Sequence, residues 1–126
     1  MRLRSLLLSL LAAPALAQGA DSVRSELEAQ YRRNADAFER RDIDAIMALR
    51  APDFFTIGAD GTRQNRTGMR LRTISFLNGV QKWNTQSVSI DSLCLAGDTA
   101  FAIVSQYLDR MALLQDGVHR VETWVT

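Results

Sequence analysis

Few side chains in this sequence come in the numbers that catalysis or metal binding requires. One histidine, His119, and one cysteine, Cys94, fall short of a closed zinc shell, so no metal is expected. A Gly-rich phosphate loop, a serine-centred elbow and a dinucleotide fingerprint are all missing, and no cofactor is expected. His119 falls in an edge-like strand pattern, where a lone imidazole more commonly faces solvent. Cys94 lies between Leu93 and Leu95 and reads as a small buried hydrophobe, since nothing adjacent would lower its pKa. Arg63, Arg66, Arg70 and Arg72 cluster around the start of a predicted helix, the wrong dipole end for cations. An anionic ligand, Asp60 or plain solvation would account for them. Asn65-Arg66-Thr67 matches the N-glycosylation acceptor pattern, a match that arises often by accident. Tyr31 and Asn34 stand about one helical turn apart, so one phenol and one amide are expected to point inward.

These residues need elements to position them. From Ser22 to about Arg40, Val23, Leu27, Tyr31, Ala35 and Phe38 recur at three- and four-residue steps, which predicts an amphipathic helix. Asp42 caps a second, short helix carrying Ile43, Ile46, Met47 and Leu49, which is expected to stop at Ala51-Pro52. Asp53 to Ile57 then reads as a largely buried strand, followed by turn chemistry at Ala59-Asp60-Gly61. Thr62 to Thr67 reads as polar and turn-like, and a third helix is predicted from about Thr67 to Leu77, with Asn78-Gly79 as its stop.

The remainder is strand. In Gln86 to Ala96 the alternation slips by one residue, predicting a bulge near Ser92. Gly97-Asp98 marks a turn. Thr99 to Leu114 is a long bent strand with apolar residues on both faces, so both faces are expected to be partly covered. Asp116-Gly117 signals a hairpin, and Val118 to Val125 returns. Helices followed by a strand meander define an α+β domain, with about three N-terminal helices on one face of a curved antiparallel sheet.

The first residues carry an address. Met1-Arg2-Leu3-Arg4 is basic, Ser5 to Ala13 is apolar and Ala15-Leu16-Ala17 is a small-x-small cleavage signal, so residues 1–17 read as a cleaved signal peptide. The apolar run is shorter than the roughly 20 residues of a spanning helix. The expected product is periplasmic or secreted: a single domain, 18–126, with no membrane attachment. Loss of Arg2 and Arg4 leaves 13 basic against 14 acidic residues of the original 15 and 14, which gives nucleic-acid binding no support. A single cysteine allows no internal disulfide, so packing must hold the fold.

The run Tyr31, then Arg41-Asp42-Ile43-Asp44-Ala45-Ile46 and Pro52-Asp53-Phe54, followed by Asp60-Gly61, Gly97-Asp98-Thr99-Ala100 and Val121-Glu122-Thr123-Trp124, resembles the NTF2-like superfamily. Within it the match is nearest to SnoaL-like and DUF4440-type domains. The resemblance implies a cone whose sheet curls around an apolar pocket, often homodimeric through the outer sheet face. It implies a pocket lined by Tyr31, Asn34, Phe38, Phe54, Thr56, Glu122 and Trp124. Two departures stand out: Arg41 occupies a position that is usually Gly, and the family usually has one more strand after the Trp124 strand.

Proton-transfer isomerases of this fold need a base and a tyrosine at positions held here by Gly58 and Asn34, and a glycine has no group with which to take a proton. The dehydratases use two histidines, and His119 stands alone. Arg120 with Glu122 is a fragment of the arginine–carboxylate set of the epoxide hydrolases. The expectation is therefore an exported domain of unassigned activity that binds a small apolar or amphipathic ligand, or associates with itself or a partner. The alternative is a SnoaL-like lyase, isomerase or cyclase with Glu122 as acid and Tyr31 as orienter.

Overall fold

The structure, a computed structural model, describes residues 9–126, with side chains from Gly19 onward. Part of the expected leader, residues 1–8, lies outside the described residues.

Helix α1 (Ser9–Glu39) leads into α2 (Ile43–Ala48), the hairpin strands β1 (Phe55–Ile57) and β2 (Arg63–Asn65), and α3 (Arg66–Gly79). Strands β3 (Val80–Ala96), β4 (Thr99–Leu114) and β5 (Gly117–Val125) complete the chain. The architecture is the expected α+β one, with three helices preceding a three-stranded antiparallel sheet in the order β3-β4-β5. Strands β1 and β2 form a separate two-stranded sheet.

Each helix boundary has a local cause. Asp42 caps α2 by accepting from the Ala45 amide at 3.0 Å, as its position suggested. Asn65 caps α3, its side-chain oxygen accepting from the Gly68 amide at 2.9 Å. Helix α3 passes into β3 without a loop, since Val80 is already extended. The turn between α1 and α2 places Arg41 at φ 58, the left-handed conformation for which glycine is the usual choice. The Arg41 guanidinium offsets that strain by donating to the Leu77 carbonyl at 2.6 Å and to the Val80 carbonyl.

The core lies where α1, α2 and α3 meet the start of β3. Ala37, Ile46, Met47 and Leu77 are buried, with Phe38, Ile43, Ala45, Phe76 and Trp83 packed around them. Phe38, Phe76 and Trp83 form a triangle with ring centroids 6.0 to 6.4 Å apart, and the Trp83 indole N–H donates to the Phe38 carbonyl at 3.2 Å.

Several expectations are corrected. Helix α1 starts before Ser22, in a leucine- and alanine-rich run of strong helix formers. Helix α2 stops at Ala48, short of Pro52. Strand β1 exposes Phe55 and Ile57 because only β2 pairs with it, and β2 itself was hidden in a segment whose polar residues suggested turn alone. Strand β3 begins six residues before Gln86, bent by register shifts at Val80/Lys82 and Trp83/Thr85 as well as the expected one at Ile90/Ser92. The last hairpin turns at Gln115-Asp116, because Gly117 already pairs with Leu114. The first residues of β4, Thr99 to Ile103, are exposed on both faces, and Cys94, opposite Phe101, is exposed with them.

Candidate functional site

Alternation along β4 and β5 divides the candidate residues between two faces of the sheet. Arg110 stacks over the Phe76 ring at 4.9 Å and donates to Thr123 at 3.0 Å, so the face bearing Arg110, Ala112 and Thr123 is the one the helices cover. Tyr107, Asp109, Glu122 and Trp124 lie on the opposite, outer face.

Two cavities flank α1 on the helical side. The larger, about 370 Å³, lies between α1 and β3 and is lined by Glu28, Tyr31, Arg32 and Ala35 with the β3 segment 86–90. The smaller, about 170 Å³, is lined by Leu27, Gln30, Tyr31, Asn34, Leu49, Arg50 and Phe54. Of the residues expected to share one pocket, Tyr31, Asn34 and Phe54 do come together in this second cavity. Phe38 is taken up by the aromatic triangle, and Thr56 pairs with Gln64 in the β1–β2 hairpin. Glu122 and Trp124 line neither cavity, because strand register turns them to the outer face. The suggested acid and orienter, Glu122 and Tyr31, are therefore not brought together.

Sequence reading did not place Leu27, Gln30, Leu49 or Arg50 in a pocket, and Arg50 is the charged one among them. It follows α2 and satisfies a helix-end carbonyl, Ile46 O, at 2.7 Å, while the same Nη1 donates to Asn34 Oδ1 at 2.6 Å. Its ring contact is with Phe54, 5.9 Å from the guanidinium carbon. Burial pushes its pKa below the usual arginine value, with the nearby Tyr31 acting in the opposite direction. A cation just past a helix end is a recognisable signal for carbonyl capping.

The outer face has its own polar centre. Asp109, only 6% exposed, accepts from Arg120 Nε at 3.0 Å, Arg120 Nη2 at 2.7 Å and Asn84 at 3.1 Å. These bonds, that of Arg120 foremost, hold its carboxyl down at about 2. Arg120 also donates to Glu122 at 3.1 Å, and its pKa is raised, chiefly by its bond to Asp109. Tyr107 donates to Glu122 at 2.6 Å, which raises the phenol pKa, and stacks on Trp124 with centroids 4.2 Å apart. Glu122 is thus committed to Tyr107 and Arg120. Around this centre the face is apolar and open: Trp124 is 76% exposed, Phe101 60% and Ile103 55%.

The arginine cluster near α3 has internal partners. Arg66 donates to the Met47 carbonyl at 2.8 Å, Arg70 pairs with Asp44 at 3.0 Å, and Arg63 stacks on Phe55 at 3.8 Å. The Thr62 amide, with a smaller contribution from Arg72, lowers the pKa of Asp60. His119 pairs with Asp116 at 2.9 Å. Among the described residues no group of three His, Cys, Asp or Glu side chains is arranged to hold a metal ion, and no helix is long and apolar enough to cross a membrane.

Helices on one face of a bent antiparallel sheet, with cavities beneath and a bare outer face, define the NTF2-like fold. A solved structure from Thiobacillus denitrificans ATCC 25259, described as a calcium/calmodulin-dependent protein kinase type II association domain, shares it with a TM-score of 0.54. The two sequences are 20% identical, and the match covers 77% of this chain and 91% of the neighbour's. No protein-family model and no curated protein matches the sequence.

Proposed function

We propose that this chain is an exported, non-catalytic association module, nearest in sequence motifs to the SnoaL-like and DUF4440-type domains, that pairs with a second copy through its outer sheet face. The observation that carries this reading is the indole of Trp124, 76% exposed on a face that also bares Phe101 and Ile103. An exposed apolar patch of this kind marks an interaction surface, and Trp and Arg are the commonest energetic anchors of interfaces. A second copy is the occupant that suits the charges. Arg120 and Glu122 stand side by side, so a two-fold contact can set each against the opposite sign. The neighbour described as an association domain supports the same reading.

The test is light scattering on the purified domain 18–126. The wild type is expected as a dimer and Trp124→Asp as a folded monomer; a monomeric wild type at tens of micromolar sinks the proposal. Export rests on the basic start, apolar run and Ala15-Leu16-Ala17 of the sequence. N-terminal sequencing of the processed protein is expected to begin at Gln18, and retention of Met1 refutes it.

A second reading, binding of a small amphipathic ligand, is supported by the two cavities that share Tyr31. The SnoaL-like enzyme with Glu122 as its acid has less support, since Glu122 and Tyr31 lie on opposite sides of the sheet; the acid that shares a cavity with Tyr31 is Glu28.

A further inference from the structure

We infer that the cavity of Tyr31, Asn34 and Arg50 is a carboxylate site, taking a short monocarboxylic acid with its head on Arg50 and its tail among Leu27, Leu49 and Phe54. The inference rests on the ligand-binding reading and adds the chemical class of the ligand.

Arg50 is the starting point. It lines the cavity, yet no carboxylate lies within ion-pair reach of it among the described residues, whereas Arg70 and Arg120 each have one. Its two protein bonds both leave from Nη1, toward Asn34 Oδ1 and Ile46 O. Nε and Nη2 make no hydrogen bond to any described residue. Those two nitrogens form the side-on edge of the guanidinium, the pair of parallel donors that matches the two oxygens of a carboxylate.

The surroundings fit the same ligand. Tyr31 and Gln30 also line the cavity, and the hydroxyl of one and the amide of the other make no protein hydrogen bond among the described residues, which leaves both able to donate. With its oxygen held by Arg50, the Asn34 amide presents its NH₂ as a donor as well. No acidic side chain lines this cavity, so an ammonium or metal cation meets no opposite charge there and has Arg50 beside it. The rest of the lining is apolar, formed by Leu27, Leu49 and the Phe54 ring, which lies 5.9 Å from the Arg50 guanidinium carbon. A volume of about 170 Å³ equals roughly six waters, which suits an acid of about four to six carbons. The bridge from Arg50 to α1 and α2 fixes the cation before a ligand arrives, so little ordering is needed on binding.

The experiment titrates the domain 18–126 with hexanoate, hexan-1-ol and hexylammonium, following amide shifts by NMR. Hexanoate is expected to bind at least tenfold more tightly than hexan-1-ol, with hexylammonium weaker still, and to shift the Leu27, Tyr31 and Arg50 amides. Arg50→Gln is expected to abolish the preference for the acid. Because that change also removes an interhelix bridge, Tyr31→Phe is the companion variant: it leaves the bridge intact and should weaken hexanoate about tenfold without affecting hexan-1-ol, the loss of one bond to a charged group. Equal binding of hexanoate and hexan-1-ol overturns the carboxylate site while leaving a ligand cavity. Silence toward all three probes overturns the ligand reading with it.

Discussion

Asp109 shows how one carboxylate organises a surface. It is buried on a face otherwise open to water, which is tolerable only because Arg120 and Asn84 together give it three hydrogen bonds. Its pKa, about 2 in the folded chain, lies below the value of about 3.9 for an unfolded aspartate. The stabilisation is therefore present above about pH 4 and is lost as the pH falls toward 2, where the folded form takes up its proton. Urea unfolding midpoints of the wild type are expected to drop across that window. Asp109→Asn, which cannot ionise, should give a flatter profile and a lower midpoint at pH 7. An unchanged slope in the variant would show that another carboxylate governs the acid limb. Nothing in the sequence around Asp109 marked it, because its partners come from the two neighbouring strands, β3 and β5, and meet it only through sheet register.

Among elements, the α1–α2 corner is the informative one. Arg41 sits at φ 58, which a glycine would accept freely, whereas a side chain there costs about 1 to 2 kcal/mol. The same side chain bonds two carbonyls at the α3–β3 junction, each charge-assisted and worth about 1.5 to 3 kcal/mol. The second effect outweighs the first. Arg41→Gly should thus destabilise by about 1 to 5 kcal/mol in denaturant melts despite relaxing the backbone, and a stabilised variant would mean those bonds contribute little in solution. The resemblance marked Arg41 only as a position usually held by glycine; the bonds could not be read, since Leu77 and Val80 are distant in the chain. The same division runs through the other elements. Periodicity located α1, α3 and the long β4, and the phase slip located the bulge beyond Ile90. The pairing of β1 with β2, the early start of β3 and the exposure of Cys94 depend on which surfaces meet, and local pattern does not carry that information.

For the whole molecule, helices cover one face of the sheet and leave the other bare. The resemblance led to one pocket holding Tyr31, Phe54, Glu122 and Trp124 together; the register of β5 instead splits them between a ligand-sized cavity and an outer surface. One residue of phase decides this, because alternation moves every side chain of a strand at once. If the outer face pairs two copies, the melting temperature of the wild type should rise with protein concentration, and that of Trp124→Asp should not.

The chain has only two tryptophans, and they sit in opposite settings. Trp83 is wedged between Phe38 and Phe76 with its indole N–H bonded, whereas Trp124 stands in water. The protein therefore carries two native optical reporters that need no labelling: emission from Trp83 follows loosening of the interior, while iodide quenching of Trp124 follows whatever comes to rest on the surface.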